Sequence, residues 1–228
     1  MRLVEPTADE GAALSVAERE HLLAEPAQLH TVAFQDLVFG HELGQGTFSR
    51  VWYCKHIDRT RPASAWAEYG AKVISSRTVA QRGYLANAER EVAILAQMRH
   101  VSVARLVASF RWKEGVYLLV EYAARGDLHT HVRSLGSLSE PSARFVAAEV
   151  LCALRYVHGC GFAFGDLKPE NVLLTASGHA KLADFGAARP LDGHARARAI
   201  VAAGRHALRE LRDGDWRAAQ HALSLIHI

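Results

Sequence analysis

The chain reads as an α+β protein in two parts, a small β-rich lobe followed by a mainly helical one. Three observations carry this. Between Leu37 and His56, two runs of β-favouring residues flank a glycine-rich turn. From Tyr84 to Met98 apolar residues recur at helical spacing between further strands. Beyond Asp127 the pattern turns helical, interrupted by Asp166-Leu167-Lys168-Pro169-Glu170-Asn171 and, after a short β-like stretch, Asp184-Phe185-Gly186.

In chain order, residues 1–33 form an Ala- and Glu-rich extension. Ser15-Val16-Ala17-Glu18 offers a capping box, and a short helix can run to Glu25 before Pro26 stops it. Residues 34–121 make the small lobe. Its glycine-rich turn carries Gly44, Gly46 and then Ser49. Glycine lets backbone amides approach phosphates, Phe48 at the tip can exclude water, and Val51 on the second strand can face a nucleotide base. These glycines lie between two strands and do not open a helix, which argues against a dinucleotide-binding turn. The strand from Trp66 to Ser75 holds Lys72 in an otherwise apolar run. A buried lysine needs partners such as phosphate or carboxylate oxygens, whereas an edge-strand lysine simply points to solvent. On the next helix Leu85, Ala88, Val92, Leu95 and Ala96 form the apolar stripe. Glu91 lies beside it and can pair with Lys72, while Glu89 is expected to be a solvated surface charge.

Residues 122–189 begin the helical lobe. Its best helix starts near Ser139, tolerates Pro141 in the first turn, is expected to bury Val146, Val150, Leu154 and Val157, and ends around Gly159-Cys160-Gly161. Val172 to Leu174 and Ala180 to Ala183 read as a short strand pair that sets Asn171 opposite Asp184. Residues 190–222 are rich in Ala, Arg and His, with Val201, Leu208 and Leu211 at roughly helical spacing, broken by Asp213-Gly214-Asp215. Residues 223–228, Leu-Ser-Leu-Ile-His-Ile, look like the translation of a sequencing adapter and are expected to be an assembly artefact, a natural apolar tail being the alternative.

The two motifs supply what phosphoryl transfer requires. That reaction leaves a protein little covalent chemistry, so it positions a hydroxyl and neutralises phosphate charge. Asp166 can accept the hydroxyl proton and Lys168 can sit on the transferred group. Asn171 and Asp184 supply a neutral and an anionic oxygen for magnesium, a hard ion commonly held by one or two carboxylates plus substrate phosphates. Taken singly, Asp-x-Lys is a common solvated turn and Asp-Phe-Gly a strand exit; their order and the upstream elements favour a site.

On these residues the chain resembles a eukaryotic protein kinase of the AGC serine/threonine group over about Phe34 to Arg189. Ser139-Glu140-Pro141, Ala143-Arg144-Phe145 and the Phe48-Ser49 pair add to the likeness, the last being most similar to phosphoinositide-dependent kinases. The resemblance implies a two-lobe kinase fold with an incomplete helical lobe, and ATP-dependent phosphorylation of protein serine or threonine. It implies ATP and Mg2+ as cofactors, protein substrates, and a regulatory partner on the small lobe. Lys72 would contact the α/β-phosphates and pair with Glu91. Asp166 would be the catalytic aspartate and Lys168 the phosphate-contacting lysine, with Asn171 and Asp184 holding magnesium. Glu121 to Ala123 would bond the adenine through backbone, Val120 would guard the back pocket, and Asp127 would reach the ribose. Leu95, Leu106 and Phe185 would belong to an apolar stack linking the lobes.

The chain departs from that family at several points. Phe164-Gly165 replaces the usual lead-in to the catalytic aspartate and removes an arginine that pairs with a phosphorylated residue. No Ser, Thr or Tyr stands between Phe185 and Arg217, so an enzyme not controlled by phosphorylation in this stretch is expected. Gly70 stands where alanine usually covers adenine, Ser49 where a third glycine often stands, and His100-Val101 where His-Pro is frequent. The resemblance ends after Arg189, with no Ala-Pro-Glu beyond it. The rival reading is a pseudokinase, a nucleotide-binding scaffold without turnover; small-molecule phosphotransfer on a related fold is a third.

A net charge of +3 gives no argument for nucleic acid. Cys54, Cys152 and Cys160 lack metal-like spacing and suit a reducing, cytoplasmic setting. No apolar run is long enough for a transmembrane segment.

Overall fold

The computed structural model describes residues 32–46, 49–75, 85–112 and 115–209. Phe48, the amino-terminal extension before residue 32 and everything after residue 209 lie outside them.

The small lobe is a five-stranded antiparallel sheet of β1 (Leu37–Gln45), β2 (Ser49–His56), β3 (Glu68–Ser75), β4 (Leu106–Trp112) and β5 (Gly115–Glu121), in the order β1-β2-β3-β5-β4. The strand expected from Trp66 begins two residues later, because the Trp66 indole turns away to donate to the carbonyls of Asp58 and Arg61. Alternation along β3 sorts its side chains. Ala71 packs with Leu37, Cys54, Val107, Phe110 and Leu119 on one face; Ile74 joins Val116 and Leu118 on the other. Helix α1 (Leu85–Leu95) lies on that second face, burying Ala88, Val92 and Leu95 as its stripe requires.

After Ala123 the chain enters the helical lobe through α2 (Leu128–Leu135) and α3 (Glu140–Gly159). Ser139 caps α3, its hydroxyl accepting from the Ser142 amide at 3.4 Å, with a proline in the first turn. Ala153, Tyr156 and Val157 are buried on α3. Val146, Val150 and Leu154, expected in the core, are only partly buried, since the core cluster covers one edge of their stripe. Phe145 is 48% and Leu151 64% exposed.

Two short strand pairs organise the chain beyond α3. Strand β6 (Phe162–Ala163) pairs with β9 (Arg189–Pro190), and β7 (Val172–Leu174) forms a hairpin with β8 (Ala180–Leu182). Backbone bonds from Ala104 to Leu182 and from Leu182 to Ser102 sew β8 to the small lobe. Residues 195–209 form one further helix, α4 (Ala195–Arg209), packed on α1. That contact corrects one expectation: Glu89 is fully buried, not solvated, because α4 covers the side of α1 that amphipathic spacing alone assigns to water. Among the described residues no helix is long and apolar enough to cross a membrane.

Candidate active site

Between the lobes lies a cleft of about 530 Å³, lined from above by β1, β2 and β3 and from below by the β7 hairpin and its flanks. The antiparallel register sets Val51 opposite Lys72, so both face the cleft, with Gly44 and Gly46 at its mouth. Gly70 forms part of the roof. A methyl there would stand 3.3 Å from Val120 and 3.7 Å from Val51.

Lys72 is the centre of the charged cluster in the cleft. Its ammonium donates to Glu91 Oε1 at 2.6 Å and to Asp184 Oδ1 at 2.9 Å, joining residues 19 and 112 positions away. Lys72 is 9% and Glu91 1% exposed, so the pair is buried, and the edge-strand alternative for Lys72 fails. Burial works against the lysine's charge, but the two carboxylates outweigh it and hold its pKa above the ordinary value. Burial pushes the Glu91 carboxyl up despite Lys72. For Asp184, desolvation pushes upward as well, yet Lys72 and the Gly186 amide keep it below the usual carboxylate range.

Asp184 has φ of 62°, a left-handed conformation that aspartate tolerates better than most residues because its carboxylate can accept from nearby backbone, here from the Gly186 amide at 3.1 Å. The surroundings impose it. Phe185 is fully buried and packs edge-on against Phe164 at 5.1 Å between ring centroids, while Arg90 on α1 donates to the Gly186 carbonyl at 3.1 Å. Leu95, Leu106 and Phe185 all belong to the one cluster that runs between the lobes.

The second half of the site is a compact loop. Both amide protons of Asn171 are used on Asp166, to its carbonyl at 2.8 Å and its Oδ2 at 2.9 Å. This fixes the amide orientation and leaves the Asn171 carbonyl oxygen for a cation. Lys168 Nζ also donates to Asp166 Oδ2, at 2.7 Å, and that bond raises the lysine's pKa. With Oδ2 occupied twice, Oδ1 is the oxygen left to accept a proton. The hairpin that presents Asn171 and leads to Asp184 is locked by the Ala183 amide bonding to the Asn171 backbone carbonyl at 2.9 Å.

Glu121 and Ala123 line the cleft where the lobes join, as does Val120. Asp127 lines it too, but its carboxylate already caps α2, accepting from the Thr130 amide at 2.7 Å and hydroxyl at 2.9 Å. Reaching a ribose would mean sharing those bonds. Phe48 lies outside the described residues.

The sequence missed several contributors. Leu43, Ala104, Leu118 and Leu173 complete the apolar lining. Leu173 was findable from its place in the strand after Asn171; the others were not, since each comes from a separate element. Glu149 on α3 accepts from His179 at 2.6 Å and from the Ala180 amide at 2.7 Å, anchoring the β7–β8 turn, and Lys181 bonds Glu121 at 3.1 Å. No local pattern marks either.

The residues fit a magnesium nucleotide. Among the described residues no three His, Cys, Asp or Glu converge as a protein cage. One carboxylate and one amide oxygen beside a buried ammonium match an ion whose remaining ligands come from phosphate and water.

Comparison with known proteins gives a consistent result. The protein kinase domain family matches residues 37–207, past the Arg189 at which the resemblance in the sequence ends. A cAMP-dependent protein kinase catalytic subunit-like protein of Caenorhabditis briggsae is 35% identical over 149 residues, 65% of this chain and 37% of that protein. A cGMP-dependent protein kinase of Toxoplasma gondii is 37% identical over 164 residues, 72% of this chain and 16% of that protein. The 3-phosphoinositide-dependent protein kinase 1 of Homo sapiens is 33% identical over 180 residues, 78% of this chain and 31% of that protein. The chain thus spans 37% or less of the length of these relatives.

Proposed function

The chain belongs to the protein kinase family, with relatives of the AGC type, and on that premise we propose that it transfers phosphate from ATP, with Mg2+, to serine or threonine hydroxyls of protein substrates. The observation that carries this reading is that Lys72, Glu91, Lys168, Asn171 and Asp184 line one cleft, with Lys72 bonded to Glu91 and Asp184, and Lys168 and Asn171 both bonded to Asp166.

When bound, magnesium ATP supplies the phosphoryl group and the counter-charge for its oxygens. Lys72 has three protons, two of them spent on Glu91 and Asp184, and the third serves a phosphate oxygen. Glu91 fixes the direction in which Lys72 points. Asn171 and Asp184 would hold the metal through their free oxygens. Asp166 accepts the proton of the incoming hydroxyl at Oδ1, and Lys168, kept cationic by its bond to Asp166, faces the charge that develops on the transferred group. Gly44, Gly46 and Val51 cover the nucleotide, and Glu121 to Ala123 border its base.

The test is phosphate transfer to a basic peptide by the chain and by Asp166→Asn. Turnover should fall by about 10²–10⁴, while affinity for a fluorescent ATP analogue stays near wild type. Nucleotide binding without turnover in the wild type would favour the scaffold reading instead, and absence of both would overturn the assignment.

A further inference from the structure

Helix α1 carries Glu91 and is held from two directions. Toward the cleft, Glu91 meets Lys72. On its other side lies α4, whose residues Ala197, Ile200, Val201 and Gly204 form one buried stripe at spacings of three, four and seven. The helices approach so closely that a Cβ added to Gly204 would overlap the Ala93 Cβ and stand 3.7 Å from the Glu89 carbonyl oxygen. Ala93 and Glu89 flank Glu91 by two residues each, and both are buried, at 1% and 0% exposure.

The chain between the catalytic motif and α4 is tied down as well. Strand β9 pairs with β6, and the Leu191 amide bonds the Gly161 carbonyl at 2.8 Å. Gly165 has φ of +85°, and a side chain there would start 2.7 Å from the Ala187 carbonyl oxygen. The stretch is therefore fixed by backbone contact at the position where an arginine is missing, and no Ser, Thr or Tyr between Phe185 and Arg217 offers a phosphate to replace it.

We propose that α4 is a brace built into the chain, holding α1 where Glu91 reaches Lys72, with Gly204 and Ala93 as the positioning residues that set the distance. Apolar packing then does the work that a charge-assisted phosphate contact would otherwise do. An eleven-residue helix is marginal by itself in water, so its place depends on what packs against it. The consequence for nucleotide binding rests on the reading of Lys72 given under the proposed function; the packing itself does not.

The experiment uses the whole 228-residue chain. Gly204→Ala puts a methyl onto Ala93 and should lift α4. Amide exchange over residues 86–95 should then speed up at least tenfold, and affinity for a fluorescent magnesium-ATP analogue should fall several-fold well below the melting temperature. Adding Ala93→Gly, which vacates the same space, should restore both. If Gly204→Ala does not fold, Val201→Ala, which trims the stripe without a clash, should show the same two changes in milder form. Unchanged exchange in α1, or a double variant no better than the single one, overturns the brace. A loss of melting temperature with affinity intact also overturns it, because that is the mark of a merely structural contact. If the wild type binds no nucleotide, the reading of Lys72 fails, and exchange in α1 alone decides the brace.

Discussion

Lys72→Met isolates the energetics of the buried charges. The substitution keeps the length and apolar stem of the side chain but removes the cation that Glu91 Oε1 meets at 2.6 Å. Glu91 is 1% exposed, and among the described residues its Oε2 has no hydrogen-bond partner that could take over. Breaking a buried pair by removing one partner costs about 3–5 kcal/mol. For a chain of this size each kcal/mol moves the melting temperature by about 2–4 °C, so the low end of the range corresponds to a drop of about 6–12 °C. The loss should depend on pH in a definite sense. Without Lys72 the folded-state pKa of Glu91 rises further above its unfolded value of about 4.3, so the folded state binds the extra proton and stability declines as pH rises through that interval. The variant's deficit is therefore greatest at high pH and shrinks toward pH 4. Urea unfolding of both proteins from pH 4 to 9 measures this. A Lys72→Met variant within about 0.5 kcal/mol of wild type across that range, the size of an ordinary surface substitution, would refute the reasoning.

Gly165→Arg, which restores the arginine usual in the family, should destabilise the chain. A left-handed φ costs about 1–2 kcal/mol for any side chain, and Ala187 must also give way. Gly165→Ala should lose most of the same amount, and thermal melts of the two check it; an unchanged melt for either contradicts the close approach. For pH, the raised Lys72 pKa means that its contribution is fully present below about 10.4 and lost as pH rises through the folded value. The lowered Asp184 pKa means that its contribution is present above about 3.9 and lost as pH falls through the folded value. Between these limits, any decline in wild-type stability that starts near pH 4.3 and continues upward is expected from Glu91, and Glu91→Gln should flatten it in the same urea series.

The sequence and the structure agree most closely where the information is local. The strands around the glycine turn, the stripe of α1, the Ser139 cap and the β7–β8 hairpin depend on residues within a few positions of one another, and each forms as expected. The same holds for Asp166, Lys168 and Asn171, whose mutual bonds span two to five residues. Where the expectation fell short, a neighbour distant in sequence intervened. Glu89 is buried because α4 happens to lie there. Val146, Val150 and Leu154 sit at the margin of the cluster that should have covered them.

Amino-acid order alone therefore determined which chemical groups this protein possesses: an aspartate that can serve as a base, two lysines, and two oxygen donors that can serve a hard cation, in the spacing expected of a phosphoryl-transfer site. Only the tertiary structure decided which of them meet. Lys72, Glu91 and Asp184 come from a strand, a helix and a hairpin exit separated by as many as 112 residues. Their union depends on a shared apolar core and on a helix packed behind α1. Periodicity can say that a face is apolar; it cannot say what will cover it.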